Sequence, residues 1–265
     1  MPHEIALVSV LLPTYNEAEN IVPLAEAIDR AIALPHEIIV VDDNSPDGTS
    51  AIVREVIASG RLPALRLETR MTDRGLTKSL WCGIELARGD TVVWMDCDFS
   101  MPPEKIPELL SKISEGYDIA VGSRFVAGGS AKQGALAAKG ESFLAVILSR
   151  FLNLLLRLCL SPRFRDYTSG FIAVRRDVFR SIRLTGDYGE YFMDLMMRAI
   201  LLKFSFIEVP YVNALRRAGE SKTAPDLATL FRRGIKYLRM ILRLLWMRVR
   251  SFAGRTITDP DALRP

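Results

Sequence analysis

Two spacings of apolar residues alternate along the first half of the chain. Leu7-Val8-Ser9-Val10-Leu11-Leu12 is an almost unbroken apolar run, ended by Pro13-Thr14-Tyr15-Asn16. A short run bounded by turn residues predicts a buried strand. From Glu17 to Ala33 the spacing becomes helical, with Ile21, Leu24, Ala25, Ile28 and Ile32 on one face. Glu17 and Glu19 suit its first turn, where acids complement the helix dipole. Glu37–Val41 reads as a second strand, running into Asp42-Asp43 and the loop Asn44-Ser45-Pro46-Asp47-Gly48. Further helices are predicted at about Thr49–Ser59, Leu76–Ala87 and Pro103–Ser114, with strands around Leu65–Leu67, Thr91–Met95 and Asp118–Val121. Alternating strand and helix predicts an α/β domain with a parallel sheet and right-handed crossovers.

Two of these strands end in acids. Thr91-Val92-Val93-Trp94-Met95 runs straight into Asp96-Cys97-Asp98-Phe99-Ser100, and the second strand ends in Asp42-Asp43. Unpaired buried charge is costly, so core packing alone does not explain such endings. In open parallel sheets ligands bind outside the carboxyl ends of the strands. Closely spaced carboxylates suit Mg²⁺ or Mn²⁺ held together with substrate phosphates. A solvated Asp-x-Asp turn explains the same spacing when it is taken alone. The chain has no GxGxxG after its first strand and no GxxxxGK[ST], so neither a dinucleotide-binding dehydrogenase nor a P-loop NTPase is supported.

With 265 residues, 49% hydrophobic and 25% charged, the chain is long and apolar enough to bury a full core. Its net charge of +4 conceals an asymmetry: residues 1–120 hold 10 basic and 20 acidic side chains, and residues 121–265 hold 25 and 11. The basic second half suggests an anionic partner: phosphates, a lipid surface or nucleic acid. Cys82, Cys97 and Cys159 form no CxxC pair, which argues against a zinc site or a disulfide framework. No signal peptide and no transmembrane helix are expected.

The ordered motifs Leu-Pro-Thr-Tyr-Asn-Glu (12–17), Val-Val-Asp-Asp-Asn-Ser-Pro-Asp-Gly-Thr (40–49) and Met-Asp-Cys-Asp (95–98) resemble family 2 glycosyltransferases. Gly-Ser-Arg-Phe (122–125), Asp-x-Thr-Ser-Gly-Phe (166–171) and Gly-Glu-Ser-Lys (219–222) narrow this to a likeness with dolichol-phosphate (polyprenol-phosphate) mannose synthases. The resemblance implies a GT-A fold, a Rossmann-like nucleotide-sugar-binding domain. It places Pro13, Tyr15, Glu17, Val41 and Asp43 at the nucleoside. Asp96, Cys97 and Asp98 meet the sugar-diphosphate, with Asp98 and Ser100 at a Mg²⁺ or Mn²⁺ ion. Arg124 lies between donor and acceptor phosphates, Lys139 on the acceptor phosphate, and Arg216 and Lys222 on the donor diphosphate. Asp96, Asp98 and Arg124 are the residues expected to carry the reaction. The chain departs from the family at Cys97, where Ala is usual, at Ile172, where a basic residue is common, at Asp194, often Glu, and in keeping Lys139 of an acceptor-side basic pair, with Lys132 nearby.

Phe143–Leu160 is strongly apolar but carries Arg150 and Arg157, and 226–252 sets basic residues such as Arg232, Lys236, Arg239, Arg243 and Arg250 beside an apolar face. Charges at the middle of a bilayer disfavour spanning, so both segments read as amphipathic helices at a membrane interface. Aliphatic rather than stacking aromatic neighbours argue against nucleic acid. The expected organisation is a catalytic domain over 1–225 and a basic amphipathic helix and tail over 226–265. The expected activity is inverting transfer of mannose from GDP-mannose to a dolichyl or polyprenyl monophosphate by a peripheral protein on the cytoplasmic face of a membrane. Two alternatives stay open: a hexosyltransferase using a UDP-sugar such as UDP-glucose, and a non-catalytic nucleotide-binding protein at a membrane surface.

Overall fold

The computed structural model describes residues 2–130, 152–214, 217 and 227–252, with side chains left aside at 227–233 and 252. Seven strands form one sheet: β1 (Val8–Thr14), β2 (His36–Asp42), β3 (Leu65–Thr69), β4 (Thr91–Trp94), β5 (Ile119–Ser123), β6 (Ile172–Arg175) and β7 (Phe206–Pro210). Their spatial order is β3-β2-β1-β4-β6-β5-β7. β1 pairs in parallel with β2 and β4, β2 with β3, and β5 with β7. β6 runs antiparallel to both of its neighbours, so the sheet is mixed and not wholly parallel as the alternation suggested. The cause is a connection that leaves β5 and re-enters β6 at the same, carboxyl end, where the Gly122 amide donates to the Phe171 carbonyl at 2.8 Å. That connection therefore stands beside the strand ends that carry the acids.

Alternate residues of the central strands supply two cores, as the period-2 pattern of a strand covered on both faces requires. Val10, Leu12, Val40 and Val93 pack beneath α1 (Ile21–Ala31), α2 (Thr49–Ala58) and α4 (Ile106–Ser114). Leu11, Ile39, Val41 and Trp94 pack against α3 (Leu76–Leu86) and α6 (Glu190–Leu201). Trp94 is buried completely, and its indole N–H donates to the Tyr191 hydroxyl of α6 at 3.0 Å. Helical residues 152–159 form the described part of α5. The chain continues into α7 (Leu227–Phe252), whose Met240, Ile241 and Leu244 enter the same core as Trp94. The expected boundary near residue 225 lies outside the described residues.

Helix α1 begins at Ile21, four residues later than the charge pattern suggested, and no acid lies in its first turn. The preceding turn is held by another loop: the amides of Asn16, Glu17 and Ala18 donate to Ser45 Oγ, Thr49 Oγ1 and Asp47 Oδ2. These bonds tie the turn to the β2–α2 loop, and Asn16 within it takes φ +56°, outside the helical region. The segment before α4 opens with a single 3₁₀ turn, Pro103–Lys105.

Candidate active site

The carboxyl ends of β1, β2 and β4 and the amino end of α3 enclose a cavity of about 440 Å³. β1 and its loop supply Pro13, Thr14, Tyr15 and Glu17, β2 supplies Asp43, and β4 supplies Asp96, Cys97 and Asp98. Arg74, Gly75, Leu76 and Ser79 at the start of α3 complete one wall, and Tyr188, just before α6, contributes another.

The two acids after β2 have separate tasks. Asp42 is fully buried and accepts hydrogen bonds from Thr14 Oγ1, the Ser45 amide and hydroxyl, and Ser50 Oγ. It fixes the loop. Asp43 faces the cavity, but much of its accepting capacity is already engaged: Arg70 Nη1 and Ser79 Oγ reach Oδ1 at 2.7 Å, and the Gly75 amide reaches Oδ2 at 2.7 Å. Arg74 lies with its guanidinium carbon 5.3 Å from the centre of the Tyr15 ring and donates to the Asn44 carbonyl. Tyr15 and Arg74 thus form a flat cationic–aromatic surface on the β1 side of the cavity.

At the β4 end Asp96 and Asp98 share the cavity wall. Asp98 is only 4% exposed, and its Oδ1 accepts the Ser100 amide at 2.9 Å. Phe99 between them adopts φ +63°, a conformation that a bulky residue takes at a cost. The turn is held from outside: the Arg217 amide donates to the Asp98 carbonyl, the Ala214 amide to the Ser100 carbonyl, and the Arg217 guanidinium lies 5.4 Å from the Phe99 ring centre. Cys97 is buried, with Sγ 3.6 Å from the Pro13 carbonyl, and joins the β1 and β4 ends as a small packing residue.

The family described as Glycosyl transferase family 2 matches residues 9–183, a span holding both acidic strand ends. The chain belongs to glycosyl transferase family 2. This glycosyltransferase is 36% identical over 242 residues to the dolichol-phosphate mannosyltransferase of Pyrococcus furiosus, covering 90% of this chain and 63% of that protein. It is thus similar to just under two thirds of that relative's length. It is also 36% identical over 219 residues to the polyprenol monophosphomannose synthase of Mycolicibacterium smegmatis, covering 80% of this chain and 79% of the relative. Among solved structures it matches glucosyl-3-phosphoglycerate synthase of Mycobacterium tuberculosis, captured with Mn²⁺, UDP and glucosyl-3-phosphoglycerate, at TM-score 0.66 and 20% identity, covering 91% and 80% of the two chains. The fold is GT-A, as the motifs implied.

Within the glycosyltransferase, Pro13, Tyr15, Glu17, Asp43, Asp96, Cys97 and Asp98 come together around one cavity. Val41 does not line it. Strand alternation turns this side chain into the core, fully buried, and its carbonyl accepts from Thr14 Oγ1. Ser100 is also buried and off the cavity wall; its backbone amide donates to Asp98 Oδ1. Arg216, Lys222, Lys139 and Lys132 lie outside the described residues.

Arg124 follows the end of β5, and its fork engages a neighbouring loop. Nε and Nη2 donate to Asp166 Oδ2 and Oδ1 at 2.9 and 2.7 Å, and Nη2 also reaches Thr168 Oγ1 at 2.9 Å. The Nε–Nη2 edge grips a fully buried carboxylate. Burial works against the charge on Arg124, but the attraction and hydrogen bonds of Asp166 outweigh it, and the pKa rises. Glu208 supports the same corner, accepting from Ser123 Oγ and from the Arg165 and Asp166 amides, while burial raises its own pKa. Asn153 of α5 donates to Thr168 Oγ1 and accepts the Tyr167 amide, which ties that helix to the Arg124 corner.

The sequence reading missed Arg74, Ser79 and Tyr188 on the wall and Arg70 and Asp166 behind it. Asp166 was visible in a motif but had no role. The others lie in loops or helix starts, where periodicity carries no information.

Proposed function

We propose that this family 2 glycosyltransferase moves mannose from GDP-mannose to a polyprenyl or dolichyl monophosphate with inversion at the sugar. The observation that carries the reading is one cavity with Tyr15, Glu17 and Asp43 on its nucleoside wall and the Asp96/Asp98 pair beside it. Similarity to two proteins named for mannose transfer to polyprenyl or dolichyl phosphate supports the substrates.

No three of the His, Cys, Asp and Glu side chains among the described residues cluster as a self-sufficient metal site. Two carboxylates at a cavity wall fit a cation that completes its shell with substrate phosphates. Asp98, with Asp96 beside it, would hold Mg²⁺ or Mn²⁺; the ion supplies charge stabilisation to the leaving diphosphate. Ser100 serves by holding the Asp98 carboxylate through its amide. Arg216 and Lys222 are proposed on the same diphosphate. Arg124, fixed by Asp166, places a permanent positive charge where two anions must approach, with Lys139 on the acceptor phosphate.

The chain's two histidines are remote from the strand ends: His36 opens β2 at its opposite end, and His3 lies near Asp90 before β4. The proposed acceptor explains why no histidine base is required. A phosphate monoester has a second pKa of about 6 and is already a nucleophilic anion at neutral pH. The test is mannosyl-lipid formation from GDP-mannose with and without a chelator. The reading expects product only with divalent metal, restored on adding Mg²⁺ or Mn²⁺; equal product in chelator contradicts it.

A membrane surface is the proposed third partner. No helix among the described residues is long and apolar enough to cross a membrane. On α7, Ile235, Leu238, Leu242, Trp246 and Val249 form an exposed stripe, and α5 exposes Leu154, Leu155 and Leu158. Arg248 joins the two helices by donating to the carbonyls of Cys159 and Leu160. An apolar stripe flanked by Arg239 and Arg243 suits an anionic lipid interface, the level at which a polyprenyl phosphate headgroup would lie. Lys236 pairs with Asp187, so reversing its charge would disturb more than lipid binding. Leu238→Ser/Leu242→Ser/Trp246→Ser is the cleaner test. We expect it to weaken sedimentation with anionic vesicles and to slow transfer to long-chain lipid phosphate more than to a short soluble analogue. Unchanged vesicle binding would remove α7 from the interface.

A further inference from the structure

Every described residue lining the cavity comes from residues 13–98 except one, Tyr188. Its neighbours in the chain are contacted by residues of α7. Lys236 Nζ donates to Asp187 Oδ2 at 2.5 Å, and Arg243 Nη1 approaches Thr185 Oγ1 at 3.5 Å. Thr185 in turn donates to the buried Asp194 of α6 at 2.7 Å. Gly189 meets α7 most closely: a Cβ built there falls 2.5 Å from Tyr237 Oη, with the next atom, Cζ, at 3.7 Å. Gly189 has φ −62°, so its backbone accepts any residue, and a side chain there would have to displace the Tyr237 hydroxyl.

We infer that Tyr188 is a donor-contact residue whose position is set by α7 through the Gly189–Tyr237 contact. The inference rests on the donor reading of the cavity and adds a wall to it. An aromatic ring facing a sugar-nucleotide site gives a flat apolar surface with a polar tip, suited to a hexose face or a nucleoside. Gly189–Tyr237 and Asp187–Lys236 hold this ring from either flank. The Lys236 pair is exposed on both sides and contributes little by itself, so the close glycine contact carries most of the positioning. The outer face of the same helix is the apolar stripe proposed for lipid. One helix therefore faces the acceptor's membrane and shapes the donor's pocket.

The experiment is a rescue series read as KM for GDP-mannose against kcat, with Mg²⁺ and a short polyprenyl phosphate analogue. Gly189→Ala should raise the donor KM about fivefold with a smaller change in kcat, because small displacements of positioning groups weaken productive binding. Tyr237→Phe removes the clashing oxygen, so Gly189→Ala/Tyr237→Phe should return KM to that of Tyr237→Phe alone. Tyr188→Ala should raise donor KM and Tyr188→Phe should retain most of the affinity. A melting scan of each variant shows that it is folded. The inference is overturned if Gly189→Ala and Tyr188→Ala keep the unaltered KM, or if the double variant stays as weak as Gly189→Ala. If the unaltered protein neither binds GDP with Mg²⁺ nor turns over GDP-mannose, the donor reading falls, and this inference with it.

Discussion

Asp98→Ala is expected to abolish transfer, with a loss in kcat of about a thousandfold or more, since it removes electrostatic support for the leaving group. The carboxylate is buried beside the cavity, and with Asp96 it is the hard-oxygen pair proposed to hold the ion. Alanine also removes the acceptor of the Ser100 amide and loosens a turn that already holds Phe99 at positive φ. Asp98→Asn separates the two effects, because the amide oxygen can still accept from Ser100 while the negative charge is gone. The metal account expects Asn to be nearly as inactive as Ala, and the metal-dependent part of nucleotide binding to vanish in both. Near-normal turnover of Asp98→Asn across a metal titration would show that the turn, and not the charge, is what the site needs.

Arg124→Lys is expected to lose activity and stability together, although the charge is kept. An ammonium cannot span both Asp166 oxygens and Thr168 at once. Asp166 is fully buried, and breaking such a pair costs about 3–5 kcal/mol where the remaining partner stays charged. A lysine that keeps part of the pairing should lose part of this. The expected result is a fall of several degrees in Tm and a loss in kcat of about a hundredfold, from misplacement of the cation between two phosphates. Asp166→Asn should reproduce the activity loss through the same displaced guanidinium. If Arg124→Lys retains full kcat while Tm falls, Arg124 acts as a structural anchor and not at the phosphates.

β1, β2 and β4 were legible because each is an apolar run stopped by Pro or acids, and β3 through its alternation of Leu65 and Leu67 with polar residues. Both acidic strand ends followed from that, and they form the cavity. Helix α6 was not legible, because burial takes in the whole of Glu190–Ala199, including Asp194 and Arg198, and erases the one-sided periodicity that marks a surface helix. β6 is four residues long, too short to stand out, and its direction depends on where the connection from β5 returns. At the site, residue types identified Asp43, Asp96 and Asp98, but not the division of labour. Only the fold shows that Asp42 secures a loop while Asp43 faces the cavity, that the Arg124 fork is directed to Asp166, and that strand alternation hides Val41. Tyr188 had no signal at all, since Gly186-Asp187-Tyr188-Gly189 reads as an ordinary turn.

The most direct test of the account is a donor panel with one acceptor. GDP-mannose, UDP-glucose, GDP-glucose and UDP-galactose would each be incubated with the unaltered protein, Mg²⁺ or Mn²⁺ and a polyprenyl monophosphate, and the lipid product characterised by NMR at the anomeric carbon. The account predicts a mannosyl-phosphate lipid from GDP-mannose with the anomeric configuration inverted relative to the donor. Lipid product formed from a UDP-sugar and not from GDP-mannose, or a product of retained configuration, would contradict it.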